Sequence, residues 1–370
     1  LKKVIRFTVA AAAVMLLLFI WDSPIQENET LQAPETIEPL PADQPSAGIS
    51  SGTARPEEGV SSFIGKSSEE WLAEFGEPDR IEPSAFGYIW WVYNSPLDEF
   101  LMAGIEEGKV VQVYAAGESA DVSPFTIGQS LEELYRFTIV ESEIAAEYDG
   151  NVYTFHVAPE DLKSRILVKL GDVYAQLYLD QEDGILEAVR FMDARTLIAH
   201  RPYDMIYMGE LQPRERPSSV LQPAVDAANA RQILDLSNVY RIRHGAEPLE
   251  ELPELSEIAR EFSVKAAGTR LAANSEEPLS LADRLESAEI DYEKAAENTA
   301  MEYYDAAEAI HGWLNSEDHR KTLLSNDFTH TGAGAFNHFY TQEFIRQETS
   351  GEEPVEEPEE EPVSSVSAQP

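Results

Sequence analysis

Apolar and polar positions follow three successive patterns along this chain. The first is an unbroken apolar run from Phe7 to Trp21, preceded by Lys2, Lys3 and Arg6. A positive flank ahead of such a run predicts an amino terminus in the cytoplasm and the remainder outside. Asp22-Ser23-Pro24 follows in place of an Ala-x-Ala cleavage site. Residues 1–21 therefore read as an uncleaved anchor, with a cleaved signal peptide as the other reading. Residues 22–61 are rich in Pro, Glu, Ser and Ala and poor in large apolar side chains. That composition predicts an extended, self-repelling, disordered spacer that lifts the folded part off the membrane.

The second pattern fills residues 62–199 and occurs twice. Phe63-Ile64-Gly65-Lys66-Ser67-Ser68-Glu69-Glu70 returns as Phe125-Thr126-Ile127-Gly128-Gln129-Ser130-Leu131-Glu132-Glu133. In each copy a serine stands three residues before a glutamate, Ser67 with Glu70 and Ser130 with Glu133, which is the signature of a capping box ahead of an amphipathic helix. Strand-like sequence follows at 87–93, 100–105 and 109–114 in the first copy, and at 151–157, 173–179 and 185–191 in the second. Glu107-Gly108 and Asp183-Gly184 supply turns. Two helix-plus-strands units are predicted. Trp90 and Trp91 are adjacent on a strand and so face opposite sides, which favours sheet packing over a ligand platform. His156 and His200 have no metal-ligand spacing. Pro202, Pro213, Pro217 and Pro223 mark residues 200–224 as a connection.

The third pattern is helical, then extended. Ile233, Leu236, Val239 and Tyr240 predict a helix over 224–244, with Gly245 as its stop. Leu255, Ile258, Phe262 and Ala266 predict a second over 250–271, and Tyr303, Ala306, Ile310, Trp313 and Leu314 a third over 303–316. Strands are expected at 329–337 and 339–346. Residues 347–370 form a Glu-, Pro- and Ser-rich tail with no capacity for a core.

Composition narrows the function classes. The chain has 370 residues, room for two or three domains, and its 43% hydrophobic content suffices for real cores. A formal net charge of -41 disfavours nucleic acid as a partner. The absence of cysteine excludes disulfides, haem attachment and thiolate zinc sites. No Asp-x-Asp-x-Asp-Gly calcium loop is present.

One stretch carries a family resemblance. Glu297-Asn298, then Trp313, Ser316, His319 and Arg320, then Gly332-Ala333-Gly334 and Tyr340-Thr341-Gln342, stand in the order of the CAP superfamily. Trp313, Ser316, His319 and Arg320 fit its bacterial form, Trp-x-x-Ser-x-x-His-Arg. Asn238 with Arg241, Ala259 with Phe262-Ser263, and Asp283-Arg284-Leu285 resemble its earlier elements. The Ile-Gly-x-Ser-x-Glu-Glu and Phe75-Gly76-Glu77-Pro78 elements resemble the CAP-associated amino-terminal domain of Gram-positive bacteria. The fold class implied is α+β: an α-β-α sandwich over 225–346, preceded by the repeated α+β domain.

The resemblance also implies a polar cavity of two histidines and two acids, which holds a divalent metal in some members. Glu297 matches the acid of the Glu-Asn pair and His319 the His-Arg position. Ser316 stands where many members carry the second acid. The other histidine falls at Asn274 or Ala273. The expected cavity is therefore Asn274, Glu297, Asn298, Ser316 and His319. Catalytic zinc sites generally use three protein ligands, and only Glu297 and His319 remain. These two are the candidates for any metal or general-base role, and neither assignment is made firm. His311, His330 and His338 miss the family's ligand slots. The leading reading is a non-enzymatic, extracytoplasmic binding or structural protein of the envelope, anchored or secreted, with an unidentified envelope component or ligand as partner. The alternative is a hydrolase, protease-like or lipid-directed, built on a Glu297/His319 cleft with or without zinc.

Overall fold

The computed structural model describes residues 24–42, 53–271 and 278–347. The expected anchor, Asn274 and the tail from residue 348 lie outside the described residues. In chain order the strands are β1 Ile25–Glu27, β2 Leu31–Gln32, β3 Leu40–Pro41, β4 Arg80–Pro83, β5 Ile89–Tyr93, β6 Leu101–Glu106, β7 Lys109–Ala115, β8 Glu143–Tyr148, β9 Asn151–His156, β10 Arg165–Leu170, β11 Val173–Asp180, β12 Ile185–Met192, β13 Asp204–Met208, β14 Glu250–Glu251, β15 Lys294–Met301, β16 His330–Phe336 and β17 Phe339–Arg346. The main helices are α1 Ser68–Phe75, α2 Leu131–Phe137, α3 Ala194–His200, α4 Gln222–Arg243, α5 Pro253–Leu271, α6 Leu281–Ser287, α7 Ala306–Leu314 and α8 Glu317–Leu324.

The internal repeat is built around one sheet, ordered β10-β11-β12-β7-β6-β5-β4. Its middle is the antiparallel β7–β12 pair, with Tyr114 opposite Arg190 and Val113 opposite Phe191. Both capping boxes form, and the two serines bridge equivalent positions, Ser67 to Lys109 and Ser130 to Ile185. The second copy departs from expectation. Residues 151–156 leave this sheet and join β8 and β13 in a separate one, and β10, not foreseen, takes the place equivalent to β5. Trp90 and Trp91 do face opposite sides: Trp90 is buried against the carboxy-terminal helices, and Trp91 packs with Val60, Trp71 and Phe125.

The carboxy-terminal sheet runs β1-β15-β17-β16-β14, with β2 also on β15. Odd positions of β15 and β17, and even positions of β16, face α5 and α6; the alternate positions face α4, α7 and α8. Thus Ala295 and Ile345 meet Leu255, Leu281 and Leu285, while Ala296, Ala300 and Ala333 meet Ile233, Leu236 and Trp313. This is the α-β-α sandwich. Its α4–α7 layer shares one core with Tyr88, Trp90, Val92 and Tyr114 of the repeat sheet, so the two domains are joined by apolar packing.

Two expectations are corrected here. The helix foreseen over 303–316 is α7, Ala306–Leu314, and a further helix that was not foreseen, α8, follows after Asn315-Ser316. The spacer foreseen over 22–61 is, from Pro24 to Ala42, part of the folded body. β1 and β2 lie parallel to β15, and β3 pairs with β13 of the repeat domain. Low hydrophobicity predicts disorder for an isolated segment, but these strands borrow their partners from sheets already formed.

Candidate functional site

Alternation along β15 decides the geometry. Glu297 points toward α6 and Asn298 toward α8, because neighbours on a strand face opposite sides. Glu297 is 3% exposed and accepts from Arg284 Nη2 at 2.5 Å. The other arm of Arg284 donates to Glu343 Oε1 at 2.6 Å, and its guanidinium lies over the Phe262 ring at 3.9 Å. Two buried carboxylates thus share one guanidinium. Glu343 is fully buried and its Oε2 has no hydrogen-bond partner among the described residues. Burial pushes the Glu343 carboxyl up to about 8, against the opposing pull of Arg284 and aided by Glu297 and Glu27. Burial raises Glu297 as well. The arrangement holds one negative charge against Arg284 and one proton on the carboxyl pair near neutral pH.

On the opposite face, Asn298 Nδ2 donates to the His319 carbonyl at 2.9 Å. His319 itself is 5% exposed, with Nδ1 at 2.8 Å from Ser316 Oγ. Ser316 forms no cap bond to α8; its hydroxyl is used on His319 instead. His319 Nε2 is buried and makes no well-aligned hydrogen bond among the described residues. Burial lowers the imidazole, while the backbone of Glu29 and Thr299 and the Asp318 charge pull the other way. No hydrogen bond or ion pair joins Glu297 to His319 among the described residues. Asn298, Ser316 and His319 are brought together; Glu297 is not, and Asn274 lies outside the described residues.

The amino-terminal segment closes this side. Asn28 Nδ2 donates to Asn298 Oδ1 at 2.7 Å and to Thr322 Oγ1 at 2.9 Å, and Thr299 Oγ1 donates to Thr30 Oγ1 at 3.0 Å.

The other polar positions of the resemblance are structural. Arg241 donates to the carbonyls of Glu247, Leu323 and Ser325, fixing the end of α8. Arg320 reaches across to the repeat domain, 2.6 Å from Asp180 and 2.8 Å from Asp183. His338 bonds the Tyr303 carbonyl, and His311 the Ser164 carbonyl; burial takes His311 down to about 4. Asp180, Glu187 and His244 bring three metal-type donor atoms within 4.8 Å of one another, but Arg320 and Arg243 already occupy the two carboxylates. The sequence reading missed Glu343 and gave Arg284 no role. The signal was the neighbouring position: Glu343 directly follows Tyr-Thr-Gln and must face away from Gln342, toward α6. An open groove of about 380 Å³ lies elsewhere, between α4 and α5 over Ala333–Phe336.

Comparison with known proteins places these residues in context. The family model described as CAP-associated N-terminal matches residues 64–203, and that of the cysteine-rich secretory protein family matches 234–345. The chain is 40% identical over 293 residues to the membrane protein YlbC of Bacillus subtilis (strain 168), covering 79% of this chain and 85% of that one. It is 32% identical over 126 residues to YkwD of the same organism, covering 33% of this chain and 49% of that one. Among solved structures, an extracellular protein containing an SCP domain from Bacillus anthracis str. Ames is 36% identical, with a TM-score of 0.73 over 81% of this chain and 99% of that one. A cysteine-rich secretory protein from Staphylococcus aureus is 26% identical, with a TM-score of 0.71 over 86% of this chain and all of that one.

Proposed function

The chain belongs to the cysteine-rich secretory protein (CAP) family, with a CAP-associated amino-terminal domain, and from that premise we propose that it is a non-enzymatic binding protein of the extracytoplasmic envelope. The supporting observation is the separation of Glu297 from His319. A carboxylate orients an imidazole for general-base work only within hydrogen-bond reach. Here Glu297 is held by Arg284 on one face of the sheet, and His319 is closed in on the other. The names of the membrane and extracellular relatives support a location outside the cytoplasm. So does the apolar run behind Lys2, Lys3 and Arg6. β1 starts at Ile25, four residues after Trp21, so an anchored chain would carry this part of its fold close to the membrane rather than on a long stalk.

The hydrolase reading draws on one feature, the 2.8 Å contact between Ser316 and His319. A serine nucleophile needs a base that a third group orients. Among the described residues no side chain bonds His319 Nε2, and the groups acting on the imidazole are the Glu29 and Thr299 backbone and the Asp318 charge, so no third side chain orients this pair. Calorimetric titration of the full chain with zinc, alongside Glu297→Ala and His319→Ala, tests the binding reading. The expectation is no saturable site that both substitutions abolish, and no labelling of Ser316 by a fluorophosphonate probe. One-site zinc binding lost in both variants, or Ser316 labelling that His319→Ala abolishes, would replace this reading with a hydrolase.

A further inference from the structure

We propose that the border of β15 is a binding site for an extended peptide, which residues 24–33 of the chain occupy in cis. The proposal rests on the binding-protein reading above and names the ligand class of that site.

The seated segment shows how such a peptide is held. Main-chain bonds run from Ala295 N to the Pro24 carbonyl (2.7 Å), from Asn28 N to the Glu297 carbonyl (3.2 Å) and from Ala33 N to the Met301 carbonyl (3.0 Å). Strand addition of this kind takes its affinity from the backbone and its selectivity from side-chain pockets. The selective contacts are polar. Glu27 accepts from Leu281 N at 2.5 Å, and the Asn28 carboxamide bridges Asn298 and Thr322. Only Ile25, Leu31 and Ala33 add apolar packing, and each is half-buried. The recognised chemistry is an extended peptide with a carboxylate followed directly by a carboxamide, flanked by aliphatic residues two positions before and three after.

Two observations mark the segment as an occupant rather than part of the core. Its ladder is broken: β1 pairs three residues and β2 two, with the side chains of Glu27, Glu29 and Thr30 exposed. Beneath it lies His319, whose Nε2 makes no well-aligned hydrogen bond among the described residues; what the cover offers this imidazole is the main chain of Glu29, not a matched side chain. A cover evolved purely as core would close that site with a matching group or an apolar one. A ligand whose side chain supplies a group for His319 Nε2 would displace the segment. Tethering gives the cis segment an effective concentration of about millimolar, so an intact chain reads as closed to weak competitors.

The test uses the full chain with a specific protease site inserted between Glu35 and Thr36, in the exposed stretch before Ile37, which is itself 65% exposed. The probe is a fluorescent synthetic peptide of residues 24–33. Cleavage followed by size exclusion is expected to release residues 1–35 from a chain that keeps its cooperative urea transition. The emptied chain then binds the peptide saturably, the uncut chain does not, and an Asn28→Ala peptide binds at least tenfold more weakly. In the uncut chain, amide exchange at Asn28 and Ala33 is expected to be at least 100-fold faster than along β17. Loss of folding on release together with exchange as slow as that of β17 overturns the proposal, because the segment is then core. A folded, emptied chain that ignores the peptide overturns it too, as does equal binding by the uncut chain. Mass analysis of the bound peptide separates the two readings. Cleavage of the peptide would sink the non-enzymatic reading and keep the site; absence of binding would sink the site and leave that reading standing.

Discussion

The two borders of the carboxy-terminal sheet are covered in opposite ways. Along β16, helix α5 lies so close that side chains are excluded. A Cβ on Gly332 would stand 2.2 Å from Ser256 N, and one on Gly334 would stand 2.1 Å from Arg260 N. Along β15, the cover is a strand segment held by carboxamide, hydroxyl and backbone bonds, with three half-buried aliphatic side chains. The first cover leaves no room for a side chain at Gly332 or Gly334; its stability comes from close packing. The second exchanges hydrogen bonds with water at little net gain, about 1 kcal/mol each. One contact is core by construction and the other is detachable: α5 packs on the face of β16, whereas β1 and β2 add to the edge of β15.

The largest expected effect tests the close border. Gly334→Val forces β16 and α5 apart, because the nearest atoms are helix backbone and cannot rotate away. A loss of about 3–5 kcal/mol is expected, at the upper end for overpacking. Urea unfolding by far-ultraviolet circular dichroism measures it. A loss under about 1 kcal/mol would show that α5 shifts freely and that the contrast between the borders is wrong.

How much of this was legible beforehand depends on how local the cause is. Ser67 with Glu70 and Ser130 with Glu133 announce their helices because a capping box needs only four residues, and both boxes form. Gly332-Ala333-Gly334-Ala335 read correctly as a strand. Its division of labour, glycines toward α5 and alanines toward α4, follows from alternation once the two helices are known. The segment from Ile25 to Gln32 was illegible, since its pairing exists only because β15 presents an edge far away in sequence. Glu297 and His319 were placed together because a family pattern orders residues along the chain and does not say which face each occupies. Glu343 escaped for the converse reason: it belongs to no spaced motif, and only the fold brings it to Arg284.

An intermediate effect lies between the two borders, under β17. Glu343 carries a carboxyl pushed up to about 8, from an ordinary value of 4.5, chiefly by burial. Between those values the folded chain binds a proton that the unfolded chain has lost. Stability therefore falls as pH rises from about 4.5 toward 8 and levels off above, with a slope of at most ~1.4 kcal/mol per pH unit. Glu343→Gln keeps the shape and cannot ionise, so its stability curve should be flatter by on the order of 1–3 kcal/mol across this window. Urea midpoints at several pH values check this. Parallel curves for the two proteins would mean that Arg284 keeps Glu343 ionised throughout. Because Glu27 also raises this carboxyl, the result reports on how firmly the β15 cover presses on the site beneath it.

The smallest expected effect concerns that cover directly. Asn28→Ala removes the bonds to Asn298 and Thr322, both at a half-buried position that water can reach. Groups that water can re-solvate lose little, so the expected cost is about 1 kcal/mol, with an unchanged dependence on denaturant. Amide exchange should sharpen the result. Protection at Asn28 and Ala33, whose amides bond to β15, should fall well before protection along β17 changes. A loss near that of Gly334→Val, spread evenly over both borders, would make the segment as much a part of the core as α5. A small loss confined to residues 24–33 would establish that one sheet carries a permanent border and a removable one. Removability is the physical requirement for any partner to reach Asn298 and His319.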